Sequence, residues 1–227
     1  MDPNANYVFL DVESLPAEKT SPLWERLSSQ ITPKPGEAQE DFDSRLEGLR
    51  KNTAMNPALG RVWMIGVALR SETPILFSGD GTPEAEAQIL RNLGDYLSKI
   101  PSHWLVGYNI ESFDIPFLKV RCLHHKLPKV AARLGKYTTK PWEAAIIDLM
   151  KVWPRTGADK SSWETGLKGL GKLDTVCEVL GITRQTGVMG PEVADAYERG
   201  DRAGVEEHLR LDIIQTRELF RALYAII

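Results

Sequence analysis

Short apolar runs alternate along the chain with amphipathic stretches, and their order predicts an α/β fold. Runs rich in Val, Ile, Leu and aromatic residues are typical of buried strands, whereas apolar residues three and four positions apart are typical of helices. The predicted strands are Tyr7–Val12, Arg61–Leu69, Pro74–Ser78, His103–Gly107 and Ala144–Leu149. The predicted helices are Pro83–Ile100, Pro116–His125, Leu173–Leu180 and Ala203–Ile227. This order indicates a sheet of five strands with helices on both faces.

Two polar stretches interrupt this pattern. Residues 16–57 form an insert after the first strand that is too long for a simple turn, and short helices are predicted around Leu23–Leu27 and Phe42–Leu49. Gly157–Gly171 is rich in Gly, Ser and Lys and is predicted to be mobile. Because neither an internal repeat nor a linker is evident, residues 1–227 are expected to form one domain.

The charge balance limits how the chain can hold a polyanion. The formal net charge is -3, so contact with nucleic acid would require a local basic patch. The two cysteines, Cys122 and Cys177, lack metal-type spacing, which favours a reducing compartment. Neither a signal-peptide pattern nor an apolar run approaching ~20 residues occurs. We therefore expect a cytoplasmic protein that does not associate with membranes.

Two acids lie near the end of the first predicted strand. Asp11 and Glu13 are two positions apart, so their side chains project from the same face. Because burial of an unpaired carboxylate is costly, we expect another group to neutralise the two acids. The alternative is that the strand ends here and both acids are solvated.

Two further acids have ordinary structural explanations when each is considered alone. Asp114 follows a predicted strand and precedes a helix that begins near Pro116, where aspartate is a natural N-cap. Asp212 lies in an amphipathic helix, where a single acid is usually solvated.

The ordered set of motifs changes this interpretation. The motifs are Asp11-Val12-Glu13, Asn109 with Phe113-Asp114, and His208 with Asp212. In order and spacing the chain resembles the DEDD exonuclease superfamily. It resembles more closely the stand-alone proteins that are similar to the exonuclease domain of family-B DNA polymerases. Two further matches to that group are Asn56-Pro57 with Gly60, and Leu173-Asp174 with Leu180-Gly181. The similarity extends from Tyr7 to about Leu223.

The resemblance implies a fold, an activity and a cofactor. The fold would be a ribonuclease-H-like mixed five-stranded sheet with helices on both faces. The activity would be 3′–5′ exonuclease hydrolysis with two divalent cations, Mg²⁺ or Mn²⁺, which prefer oxygen ligands. By similarity, Asp11 would bridge the ions, Glu13 and Asp212 would hold the one beside the nucleophile, and Asp114 would hold the other.

The resemblance also implies substrate contacts. Ser14 and Leu15 match the position that contacts the terminal nucleotide, and Leu15 would stack on the last base unless it is a plain loop leucine. Asn109 and Phe113 belong to the second motif and are predicted to bind substrate, although Asn109 also suits a turn. Asp148, at the end of the fifth predicted strand, would support the site or be purely structural.

His208 departs from both branches of the superfamily. One branch has tyrosine four residues before the final aspartate, and the other has histidine five residues before it. His208 lies four residues before Asp212, so the two share one helix face. We therefore predict that His208 overlooks the site, either as a general base or as a residue that positions water.

A basic segment lies between the second and third motifs. Lys119–Lys140 contains seven basic residues and no acid, and we predict that Lys126, Lys129 and Arg133 contact phosphates. The alternative is a solvated helix face. His124 and His125, which have no metal-type spacing, are predicted to be surface residues.

The sequence therefore favours an exonuclease acting on single-stranded or frayed 3′ ends, with DNA as the favoured substrate. The alternatives are an endonuclease or a ribonuclease of the same fold, and a nucleic-acid-binding module with a relic site. The sequence does not indicate protein partners.

Overall fold

A mixed sheet organises the part of the chain that the computed structural model describes, which comprises residues 6–70, 72–137, 145–156, 171–183 and 187–224. Its strands are β1 (Tyr7–Leu15), β2 (Arg61–Leu69), β3 (Ile75–Ser78), β4 (Trp104–Gly107) and β5 (Ile146–Asp148). The strand order is β3-β2-β1-β4-β5. The pairs β1–β2 and β2–β3 are antiparallel, and β1–β4 and β4–β5 are parallel. All five predicted strands are confirmed.

The helices lie between these strands and after them in the chain. They are α1 (Pro22–Ser28), α2 (Gln39–Asn52), α3 (Pro83–Lys99), α4 (Asp114–His124), α5 (Pro128–Gly135), α6 (Leu149–Val152), α7 (Leu173–Val179), α8 (Val193–Glu198) and α9 (Arg202–Leu223). The predicted helices are confirmed, including the two in the insert, whereas α5, α6 and α8 were not predicted as separate helices. The segment predicted to be mobile, Gly157–Gly171, lies outside the described residues except for Gly171. Within the described ranges, no helix is long and apolar enough to cross a membrane.

The alternating side chains of β1 separate two layers of core. Val8 and Leu10 point into a cluster with residues of α3, α4 and α5. Tyr7 and Phe9 point to the opposite face, against α9. Because side chains alternate along a strand, Asp11 lies on the α9 side of the sheet as well.

Gly66 allows α9 to approach the sheet closely. It pairs with Asp11 across β1 and β2. A Cβ at this position would lie 2.7 Å from Ile213 Cδ1 and 3.0 Å from Leu209 Cγ, both on α9. A larger residue would push the helix outward, so Gly66 sets the distance between the Asp11 strand and the helix that carries Asp212.

Charged side chains at the end of the insert form ion pairs with α8. Arg50 is buried, donates to the carbonyl oxygen of Ala17 at 2.8 Å and contacts Glu198 at 2.9 Å. Lys51 forms an ion pair with Asp195 on the same helix. These contacts hold α2 against α8 and against the chain that leaves β1.

Candidate metal centre

Four acids from three separate elements meet at the end of β1. Asp11 and Glu13 are on β1, Asp114 is the first residue of α4, and Asp212 is on α9. Glu13 and Asp114 are 7% and 2% exposed, which places both in the interior. The structure therefore brings together the acids that the motifs predicted, and it places Asp114 inside the helix rather than at its N-cap.

His208 lies among these acids. Its Nε2 is 3.3 Å from Glu13 Oε1 and 3.6 Å from Asp212 Oδ2. A potential metal-ligand atom is present on each of Glu13, His208 and Asp212, and these three atoms lie within 4.8 Å of one another. The one-turn spacing on α9 thus places the imidazole beside Glu13 and Asp212.

The acids lack a cationic partner within the described residues. No lysine or arginine there forms an ion pair with any of the four, and His208 is charged only when protonated. Asp114 Oδ1 is buried without a hydrogen-bond partner. A buried carboxylate oxygen in this state is costly unless something else neutralises it. Oxygen ligands left without partners suit Mg²⁺ or Mn²⁺, so this donor set fits the cations that the sequence resemblance implies.

Burial and mutual repulsion raise the pKa values of these acids. Burial, followed by the charge of Asp212, raises the pKa of Asp11 to about 7. Burial, followed by the charge of Asp174, raises the pKa of Asp212 to about 7. The pKa values of Glu13 and Asp114 are also raised, mainly by burial and then by the charge of Asp11. Metal-free protein therefore retains protons at this site near neutral pH.

This proton uptake predicts how the stability of the metal-free protein depends on pH. Because the folded pKa values lie above the unfolded ones, the stability that these acids contribute is present below about pH 4 and is lost as pH rises through about 7. We expect the melting temperature in chelator to fall between about pH 5 and pH 8. Mn²⁺ should restore the melting temperature most strongly at the upper end of this pH range. Thermal melts across this range test the expectation, and a chelated protein whose stability rises through pH 7 would contradict it.

Asp148 holds the loop that leads to Asp114. Its carboxylate accepts hydrogen bonds from the backbone N–H groups of Asn109 at 2.9 Å, Glu111 at 3.2 Å and Met150 at 3.0 Å. It thereby caps α6 and fixes the turn before α4. Asn109 itself has φ of 62° and its carbonyl oxygen accepts from Phe113 at 3.0 Å. The structure therefore gives Asn109 the turn geometry that was the alternative to substrate binding.

A cleft of about 480 Å³ adjoins Glu13. Ser14 and Phe113 line it, together with Asn52 and Met55 from the insert segment. Ser14 Oγ donates to the carbonyl oxygen of Ala54 at 2.8 Å, so part of its bonding capacity is already used. The cleft is open to a ligand beside the acids, and Phe113 presents an aromatic ring there.

Leu15 does not line this cleft. It is fully buried and packs in a cluster that includes Val193 and Ala196 of α8. A base cannot stack on it in this arrangement, so the predicted contact between Leu15 and the terminal base is corrected. The cause is α8, which covers the end of β1.

The basic segment is used largely for structure. Arg121 forms two hydrogen bonds with buried Glu86, at 2.8 and 2.7 Å, and His125 contacts the same carboxylate at 2.7 Å. Arg133 donates to the carbonyl oxygen of Leu97 at the end of α3. The interpretation of His125 as a surface residue was therefore wrong, and Arg133 is engaged within the protein.

Lys126 and Lys129 are exposed but lie away from the acids. Helix α4 begins at Asp114 and ends at His124, so its length separates the two ends by roughly 15 Å at 1.5 Å per residue. The structure does not bring these lysines to the carboxylates. Contact with a phosphate there would involve a more distant part of a strand.

Asp174 is a further acid near the site, and the sequence indicates it only as part of a motif. It lines a cavity of about 260 Å³ with His208 and Asp212. Burial lowers the pKa of His208, although the charges of Asp11 and Asp174 oppose the shift. The Leu-Asp pair at the start of α7 was the available signal, but its spacing alone does not show where the helix packs.

A cluster of four acids beside a histidine thus lies at the end of β1, the central strand of a mixed sheet. Comparison with known proteins identifies the family to which the chain belongs. Residues 56–224 match the family described as a predicted 3′–5′ exonuclease related to the exonuclease domain of PolB, and the chain belongs to that family. The match includes Asp114, His208 and Asp212, whereas Asp11 and Glu13 precede it.

Comparison of structures confirms the ribonuclease-H-like fold. The family B DNA polymerase from the hyperthermophilic archaeon Pyrobaculum calidifontis matches with a TM-score of 0.65 and 17% sequence identity. The match covers 98% of this chain and 25% of that chain, so the protein corresponds to about a quarter of the polymerase length. Comparison with curated proteins found no match.

Proposed function

We propose that this protein is a metal-dependent 3′–5′ exonuclease that hydrolyses single-stranded nucleic acid. The observation that carries the proposal is the convergence of four acids without a cationic partner among the described residues, one of them with a buried, unbonded oxygen. Membership of the exonuclease family supports the reaction class. The structural relative is a DNA polymerase, which supports DNA as the favoured substrate.

Asp11, Glu13, Asp114 and Asp212 would hold the divalent cations. When bound, two such ions supply charge neutralisation at the scissile phosphate and at the leaving 3′ oxygen. The residues of the chain prepare this site by presenting carboxylate oxygens from rigid elements, with Gly66 setting the approach of α9 and Asp148 fixing the loop before α4.

His208 would receive the proton from the attacking water. Burial lowers its pKa below the usual value, so the imidazole is largely neutral near pH 7 and able to accept a proton. Its contacts with Glu13 and Asp212 orient the ring toward the acids. The same position also suits a residue that only positions water.

The cleft beside Glu13 would receive the terminal nucleotide. Its volume of about 480 Å³ lies within the usual range of small-ligand pockets, and its walls combine Phe113 with the exposed Met55. A base stacks favourably on an aromatic ring, with little dependence on its identity. The cleft therefore favours a substrate whose last nucleotide is unpaired.

Lys126 and Lys129 would contact phosphates upstream of that nucleotide. We expect the double variant Lys126→Glu, Lys129→Glu to bind single-stranded 20-mers more weakly, whatever their base sequence. The slope of its log binding constant against log salt concentration should be smaller in magnitude by about 1.4, because each lost phosphate contact removes ~0.7 from that slope. Rates at saturating substrate should not change. Identical binding and slope would show that these lysines are only solvated, and Arg133→Glu serves as a contrast that should lower stability instead.

Linear and circular single-stranded DNA of one sequence test the proposed reaction. An exonuclease requires a free end, so we expect Mn²⁺ to support digestion of the linear molecule and leave the circle intact. Cutting of the circle would indicate an endonuclease, and binding of both without cutting would indicate a relic site. A 3′-phosphorothioate linear strand should resist digestion.

A further inference from the structure

A second cavity, of about 340 Å³, lies at the other end of β1 and α9 from the carboxylates. Tyr7 is four residues before Asp11 on β1, a separation of roughly 13 Å, whereas Phe9 is two residues before it. Tyr224 is twelve residues after Asp212, at the end of α9, a separation of roughly 18 Å along a helix. The cavity is lined by Tyr7, Phe9, Arg70, Arg217, Phe220, Arg221 and Tyr224.

Aromatic rings form the floor of this cavity. The Phe220 ring lies 4.7 Å from that of Tyr7, 5.6 Å from that of Phe9 and 5.5 Å from that of Tyr224, measured between centroids. Tyr7, Phe9 and Phe220 are at least 94% buried, so they expose almost no ring face and serve to hold the partly exposed Tyr224 in place. Tyr224 is therefore the ring of this cavity that a flat ligand can reach.

Three guanidinium groups surround this floor, and they are incompletely neutralised. Arg221 pairs with Glu218 at 2.6 Å, and Arg217 Nε is 3.8 Å from the same carboxylate. Arg217 donates to the carbonyl oxygen of Glu72 at 2.9 Å, yet its Nε is buried without a hydrogen-bond partner. In the described part of the chain, Arg70 makes no ion pair or side-chain hydrogen bond. In a chain with a formal net charge of -3, this is a local excess of positive charge.

We infer that this cavity binds a nucleotide, with the base against the ring of Tyr224 and the phosphate on the arginines. Guanidinium groups bind phosphate through paired hydrogen bonds, and aromatic rings bind bases by stacking. Both halves of a nucleotide are therefore matched by adjacent groups. The site uses none of the four acids, so it does not depend on the proposed nuclease activity. Its ligand is either a free nucleoside monophosphate or one nucleotide of a single strand.

Binding in chelator separates this cavity from the carboxylate site, where a phosphate group has no cation to bind once the metal is removed. The probes are dTMP, thymidine, inorganic phosphate and a single-stranded dT 12-mer, measured by calorimetry on the full chain. We expect dTMP or the 12-mer to bind saturably, and more tightly than thymidine or phosphate. Arg70→Glu with Arg221→Glu should weaken this binding at least about tenfold.

Arg91→Glu, which reverses one charge at an exposed position of α3, should bind like the wild type. Thermal melts of each variant, and the neutral pair Arg70→Gln with Arg221→Gln, separate lost contacts from lost folding. Arginine-dependent binding of dTMP alone supports a free-nucleotide site, and arginine-dependent binding of the 12-mer supports a strand contact. Absence of saturable binding, or binding unchanged by the arginine substitutions, would overturn the inference.

Discussion

Asp11→Asn is expected to lower the rate of hydrolysis by at least about 10³-fold, equivalent to about 4 kcal/mol in the barrier. Asp11 is on the strand at the centre of the acidic cluster, and its charge raises the pKa values of both Glu13 and Asp114. An amide keeps the shape of the side chain but removes the charge that a shared cation needs. End-labelled oligonucleotide digestion in Mn²⁺ measures the loss.

The same substitution is expected to stabilise the metal-free protein. Burial and the charge of Asp212 raise the pKa of Asp11 to about 7, so ionising this acid at pH 8 is costly. The substitution removes that cost. Each kcal/mol gained should raise the melting temperature of a chain of this size by about 2–4 °C. Asp95→Asn, at an exposed position of α3, is the matched control and should change neither property. A variant that is both active and less stable would count against the metal-centre interpretation.

His208→Ala is expected to lower the rate by about 10²–10⁴-fold while substrate binding is retained. The imidazole lies 3.3 Å from Glu13 Oε1, and burial lowers its pKa. If it accepts the proton, the wild-type rate should rise with pH through a step below about 6.5, because the neutral ring is the active form. That step should be absent in His208→Ala.

His208→Tyr separates proton transfer from water positioning. A tyrosine with a pKa near 10 cannot accept a proton at neutral pH but can orient water. Retained activity in this variant would assign the positioning role, and lost activity would assign the base. His124→Ala, at an exposed position on α4, is the control. A His208→Ala protein with the wild-type rate at every pH would show that the reaction needs neither role.

The strands were predictable because their signals are local. Runs such as Arg61–Leu69 are β-rich and were bounded correctly. Asp11, Glu13, Asp114 and Asp212 were predicted from the order of motifs, and the fold brings their elements together. The close approach that makes the cluster possible depends on Gly66, whose importance appears only when α9 packs against β2.

The errors arose where a distant partner decides the role of a residue. Leu15 follows the acidic motif as a contact residue would, yet α8, nearly 180 residues later, buries it. His125 and Arg121 belong to a basic run, but Glu86 on α3 binds both. Charge runs report composition, and they do not show which cations are already paired within the fold.

Digestion of a 5′-labelled single-stranded oligonucleotide, followed over time with Mn²⁺ and with excess chelator, tests the central claim most directly. The four acids, which have no lysine or arginine partner among the described residues, predict a ladder of products that shorten one nucleotide at a time from the 3′ end, present with Mn²⁺ and absent in chelator. Asp114→Asn should abolish the ladder, because it alters the buried acid whose oxygen lacks a partner. Undiminished digestion in chelator, or by Asp114→Asn, would contradict the claim that these carboxylates form a metal-dependent exonuclease site.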